Sequence, residues 1–238
     1  MSTLDKLNDQ LYRVYSTAWD NLVQRLPDDR QLSDPHFIKV PQEYIDANLK
    51  LLIIGQQTNG WTQEGYKPRE SARPDVVDRI MHEYDVFKCG INYRPTPFFQ
   101  GAHGLARLLE PTKVPCWFVW SNLIKIDGNG AADDSWVGVY PGQHIEEILG
   151  ELPLVQSEVE ILSPDAVVFL VGPDYIKRLQ LTFPDLESIN VTTKKPWSVL
   201  KSPKLPQRSY VTYHPKYLRM SDRWNVIDEI ANHIKSNS

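Results

Sequence analysis

"KLLIIGQQTNGW" (residues 50–61) begins as a continuous apolar run, stops at Gly55, and then sets Gln56, Gln57, Thr58 and Asn59 before Gly60 and Trp61. A short apolar run bounded by turn formers reads as a strand buried on both faces, which is how parallel sheets read. Three further runs share the form: "CWFVW" (116–120), "AVVFLVG" (166–172) and "SYVTY" (209–213). Helical periodicity fills the intervals, at about 74–87, 101–110, 143–163 and 174–182, with a last helix at about 222–235. Ahead of the first strand, Leu4, Leu7, Leu11, Val14, Tyr15, Ala18, Leu22 and Leu26 recur at steps of three and four, the pattern of an amphipathic helix. Strands alternating with helices predict an α/β fold, a three-layer α/β/α sandwich around a mostly parallel central sheet of about four strands. The proline-rich segments 92–97 and 194–206 read as stiffened loops.

A chain of 238 residues, 41% hydrophobic and 24% charged, is long enough for one sizeable α/β core, so a single domain over 1–238 is expected. Its parts are a leading helix in 1–30, a core in 50–220 and a terminal helix at 222–235. The formal net charge of −4 excludes a protein that is basic all over, so a nucleic-acid partner would need a local patch. Cys89 and Cys116 lie far apart in sequence without Cys-x-x-Cys spacing, too few for a zinc knuckle or an iron–sulfur cluster. They fit a reducing cytoplasm. Met1 leads into a polar stretch and no eighteen apolar residues run together, so a soluble, cytoplasmic monomer with no membrane attachment is expected.

In an open parallel sheet, ligands bind in the crevice beyond the carboxyl ends of the strands. That end receives Gln56 to Trp61 from the first run, Ser121, Asn122 and Lys125 from the second, Gly172 to Tyr175 from the third and His214 to Arg219 from the fourth. The set is polar and aromatic, with almost no carboxylate. Each member has a plainer reading: Gly55 as a strand-end turn, Asn122 as a turn residue, His214 as structural, and Trp61, Tyr93, Phe98 and Phe99 as core. A dinucleotide fingerprint is excluded, because no Gly-x-Gly-x-x-Gly follows the strand.

The order of these segments resembles the uracil-DNA glycosylase superfamily. Its members carry a strand followed by a Gly-Gln-Asp-Pro-Tyr-like or Gly-x-Asn-Pro-like loop, a middle strand ending in asparagine, and a late His-Pro-x-x-Leu loop. Here these read "IIGQQTN", "FVWSNLIK" and "TYHPKYLR", with "VVFLVG" as the apolar strand before the last loop, spanning about residues 50–220. The resemblance implies a monofunctional DNA glycosylase acting on duplex or single-stranded DNA, with the base flipped from the stack. No metal or cofactor is called for. It implies that Asn122 reads the base through its amide, that Phe98, Phe99 or Tyr93 stacks on the base, and that His214 donates a hydrogen bond to the developing anion at the base O2. Leu218 matches the family's inserted leucine, with Tyr217 beside it. Gln56 and Trp61 would line the pocket. Ser121, Lys125, Lys216, Arg219 and Arg223 would meet the DNA.

Two departures fall in the opening stretch. Gln57 stands where efficient members carry the aspartate that orients water, so Gln57 or Asn59 would have to position it. Asn59 stands where uracil-specific members carry a tyrosine that blocks groups on pyrimidine C5. An open wall lined by amides points to a 5-modified pyrimidine, for example hypermodified cytosine of viral DNA, with a role in defence. Repair of uracil or a damaged base is the alternative. Two other classes stay open: a DNA-binding module of the same fold without chemistry, and a nucleoside hydrolase, for which a basic face would have no use. Between Lys194 and Arg223 eight cations stand against Asp222 alone, a local charge of +7 in a chain of −4, which phosphate binding would need.

Overall fold

The computed structural model describes residues 1–26, 32–61, 76–92, 96–113, 115–129, 138–187 and 189–237. The four apolar runs become strands β1 (Leu51–Gly55), β2 (Val119–Asn122), β5 (Ala166–Leu170) and β7 (Arg208–Thr212). All of β1, β2 and β5 is buried, so side chains on both faces of the sheet leave water. That is why these strands read as unbroken apolar runs. They are parallel, in the order β2-β1-β5-β7. A fifth strand, β6 (Trp197–Leu200), pairs antiparallel on the outer edge of β7. The predicted loop 194–206 thus holds an edge strand. Its prolines, Pro196, Pro203 and Pro206, lie outside the strand, where missing N–H donors cost no ladder bond. A separate small hairpin pairs β3 (Gly128–Asn129) with β4 (Gly138–Val139).

The helices form two sets. The first is built on α1 (Thr3–Arg25), which packs against α2 (Gln42–Ile45), α3 (Val76–Phe87), α5 (Gln143–Gly150) and α6 (Leu154–Leu162). Ser2 opens α1 with a reciprocal capping box to Asp5, and Leu11, Tyr15, Ala18, Trp19 and Leu22 form its buried stripe. The second set is built on α4 (Pro97–Leu109), which packs against α8 (Pro215–Met220) and α9 (Asn225–Ser236). A short helix α7 (Ile176–Thr182) follows β5. No described helix is long and apolar enough to cross a membrane.

Three boundaries differ from the sequence expectation. α4 begins at Pro97 rather than near 101, because Thr96 accepts a hydrogen bond from the Phe99 N–H and Pro97 suits the first turn. The helix expected over 143–163 is two, broken before Pro153, whose ring excludes the helical conformation from the residue before it. The stretch after His214 is a short helix, α8, rather than an open loop.

Candidate nucleobase pocket

β1 continues to β2 on one side and the chain then returns to β5 on the other, so the strand order reverses beside β1. A crevice at the carboxyl ends follows from that reversal. Around it the four strand ends are linked residue by residue. Gly55 and Asn122 are register partners at the tips of β1 and β2. A Cβ on Gly55 would sit 2.4 Å from Asn122 Oδ1 and 2.9 Å from the Phe98 ring, so only glycine lets the amide and the ring lie over this backbone. Phe98 stacks on His214 with centroids 5.9 Å apart and 25° between planes. His214 adjoins Gly172, the residue two beyond β5. On the β1–β5 side, Gln56 Nε2 donates to the Val171 carbonyl at 2.6 Å, and Tyr175 Oη donates to Gln57 Oε1 at 3.1 Å.

Asn122 is 1% exposed. Its Oδ1 accepts from Trp120 Nε1 at 3.3 Å, while its Nδ2 is buried without a hydrogen-bond partner among the described residues. A buried unsatisfied donor costs about 1–3 kcal/mol, so such a group calls for a partner beyond the described residues.

His214 caps α8: its Nδ1 accepts from the Lys216 N–H at 3.1 Å. An accepting Nδ1 carries no proton, which leaves Nε2–H as the donor of the neutral ring. Burial, and secondarily the Lys216 charge, lower its pKa from 6.5 to about 4. The ring is therefore neutral at physiological pH. Between 6.5 and about 4 the unfolded chain takes up this proton and the folded chain does not, so stability falls as pH drops through that window. The full loss is on the order of 3 kcal/mol. His36, buried among Trp61, Tyr84 and Trp120 and lowered mainly by burial, pulls the same way. Long-range 1H–15N spectra should find His214 as the Nε2–H tautomer throughout about pH 6 to 8. A midpoint near 6.5, or a proton on Nδ1, would contradict the assignment.

The loop 56–61 is held from beneath by Asp127, which hydrogen-bonds the Thr58 hydroxyl and accepts the Gly60 N–H at 2.7 Å. Ser33 Oγ lies 3.2 Å from the same hydroxyl. Asp127 is fully buried and both its oxygens are engaged, so it shapes the loop. Asn59 is exposed with φ 53°, a left-handed conformation that asparagine tolerates better than most residues. The structure therefore supplies a backbone reason for Asn59, one the sequence does not display.

Several expected site residues are elsewhere. Leu218 is 0% exposed: α8 turns it into the core and turns Tyr217 outward, 38% exposed and stacked on Tyr213 at 4.3 Å. It is not a protruding wedge. Lys125 and Ser121 are buried and do not meet a surface ligand. Lys125 Nζ donates to Glu158 Oε1 and Oε2 at 2.6 and 2.8 Å and to Ser121 Oγ at 2.6 Å. Ser121 and Tyr15 each donate to the same carboxylate at 2.6 Å. Trp61 and Phe99 are core: Trp61 packs edge-on against Phe87 and Trp120, and Phe99 against Trp120. Gln56 is tied to β5 through its amide donor. Tyr93 lies outside the described residues. Gln57, Phe98, Asn122 and His214 are the expected residues that this end of the sheet brings together, and Tyr175, expected at the same end without a role, meets Gln57 across 118 positions.

The basic stretch divides. β6 runs antiparallel to β7 with Trp197 opposite Thr212 and Leu200 opposite Ser209. Lys194 and Lys195 therefore lie at the pocket end with Lys216, Arg219 and Arg223, while Lys201, Lys204 and Arg208 lie at the other. Lys201 and Arg208 face Glu187 and Asp165 at 3.5 and 3.7 Å. Arg219 donates to Gln100 Oε1 at 2.9 Å and Arg223 to the Thr193 carbonyl. Among the described residues no three or more His, Cys, Asp or Glu converge to hold a metal ion. The chain matches no protein-family model and no curated protein.

Proposed function

We propose that this chain is a DNA glycosylase that hydrolyses the N-glycosidic bond of a flipped pyrimidine. The observation that carries the reading is the buried Asn122 amide, its Nδ2 unpartnered among the described residues, held over the bare backbone of Gly55 beside the Phe98–His214 stack. A flat ligand there would stack on Phe98, with Asn122 Nδ2 donating to an acceptor on its pairing edge. As the bond from C1′ to the base nitrogen breaks, negative charge gathers on the base, and a neutral His214 Nε2–H is suited to stabilise it by donation at O2. Water adds to C1′, its proton leaving toward the base. Gln57, its Oε1 already fixed by Tyr175, is suited to hold that water by its remaining hydrogen-bonding capacity, and an amide there predicts slow turnover. With Leu218 in the core, Tyr217 is the side chain available to stack where the flipped base has left the helix.

The small, exposed Asn59 supports an open side toward pyrimidine C5 and hence a 5-modified base such as a hydroxymethylated or glucosylated cytosine. The engagement of both Asp127 oxygens favours one alternative, a DNA-binding module without chemistry. Oligonucleotides, single- and double-stranded, carrying uracil, mismatched thymine, 5-hydroxymethylcytosine or its glucoside decide between them after alkali treatment. Strand breaks at the modified cytosines are expected; breaks at uracil alone move the protein to repair, and breaks at none leave the binding module. Lys216→Glu and Arg219→Glu should weaken binding to all sequences alike and lower the salt slope by about one to two phosphate contacts. A sequence-dependent loss would remove them from the DNA backbone.

A further inference from the structure

Cys89 and Cys116, 27 positions apart in sequence, meet in the fold. Cys89 lies in the 3-10 turn Lys88–Gly90 that ends α3, and Cys116 lies just ahead of β2. Their contacts interlock. Cys116 Sγ donates to the Lys88 carbonyl at 2.7 Å, the peptide that leads into Cys89, and Cys89 Sγ lies 3.8 Å from the carbonyl of Phe118, two residues past Cys116. Both are free, and both sit on left-handed backbone, with φ 51° at Cys89 and 74° at Cys116. Strain at two non-glycine residues that face each other is costly, and it concentrates where a site requires it.

We propose that Cys89 and Cys116 are a redox pair that closes reversibly to a disulfide. The neighbouring Cys89 sulfur, helped by the Lys88 charge, lowers the Cys116 thiol, whereas the Cys116 sulfur and burial raise the Cys89 thiol. Cys116 is thus the attacking sulfur and Cys89 the resolving one. With a small disulfide such as oxidised glutathione as oxidant, the Cys116 thiolate attacks one glutathione sulfur and expels the other as thiolate, leaving a mixed disulfide. Cys89 then gives up its proton, attacks the Cys116 sulfur and releases the second glutathione. Two thiols and one oxidised glutathione become one protein disulfide and two reduced glutathiones. The same turn supports the pocket helix, since the His103 ring lies 2.9 Å from the Cys89 carbonyl and Gly90 packs against Phe99.

The test oxidises the folded full-length protein with glutathione disulfide, then denatures it, caps remaining thiols with N-ethylmaleimide and measures the intact mass. The expected result is a loss of about 2 Da with no maleimide added, a monomer on non-reducing gels, and the Cys89 and Cys116 peptides joined. Cys89→Ser should halt at one glutathione on Cys116, removable by reductant, and Cys116→Ser should stay unmodified. Two maleimides after an exposure that fully oxidises a control dithiol would overturn the proposal. So would glutathione on Cys89 in the Cys116→Ser protein at the rate of the Cys89→Ser adduct, since it would make the sulfurs independent.

Discussion

Asn122→Ala and His214→Ala should each reduce single-turnover base release by about 10²–10³-fold, the loss seen when one preorganised donor is removed from a developing anion. Their effects on stability should differ from that and from each other. Asn122 carries a buried donor without a partner among the described residues, so its removal relieves one desolvation cost while orphaning the buried Trp120 Nε1 donor in its place, and the two nearly offset. The alanine protein should melt within a few degrees of wild type. His214→Ala loses the cap of α8 and should cost about 1 kcal/mol. DNA affinity, resting on the basic rim, should survive in both. Wild-type release by either variant would remove that residue from the chemistry, and collapse of the Asn122→Ala protein would show the amide to be structural.

Glu158→Ala should cost about 3–5 kcal/mol, because it strands Lys125 as an unpaired charge in the interior and deprives Ser121 and Tyr15 of their acceptor. Burial already lowers the Lys125 pKa, opposed by the Glu158 charge, so losing the carboxylate makes its ammonium harder to keep. The paired change Lys125→Met with Glu158→Leu should recover most of the loss, since replacing a whole buried ion pair with apolar side chains is often neutral. Urea denaturation measures both. A Glu158→Ala protein as stable as wild type would return Lys125 to the surface role its sequence position suggested.

The four parallel strands were legible because both faces of each are buried, which leaves an apolar run that no amphipathic element imitates. β6 was not legible: only Ser198 and Leu200 of its four residues are buried, and prolines flank it. Position along the chain placed Gln57, Asn122 and His214 at one end of the sheet, since a residue that follows a parallel strand has nowhere else to go. The same reasoning failed for Lys125 and Leu218. Lys125 follows β2 but turns inward to a carboxylate 33 positions away, and a partner at that separation leaves no local mark. Leu218 was aligned with a protruding leucine, yet "HPKYLR" forms a capped helix whose apolar side faces α4, so spacing from His214 did not carry side-chain direction. The meeting of Cys89 with Cys116 was hidden for the same reason.

If the four strand ends form one pocket for a flipped base, that base should leave the DNA as a free molecule. Excess protein is mixed with duplex DNA carrying 5-hydroxymethylcytosine or its glucoside, and the free base is assayed by mass spectrometry alongside the abasic strand. Free modified base in equal amount to abasic sites is expected, lost in Asn122→Ala and His214→Ala. No free base from any substrate, or undiminished release by both variants, would contradict it.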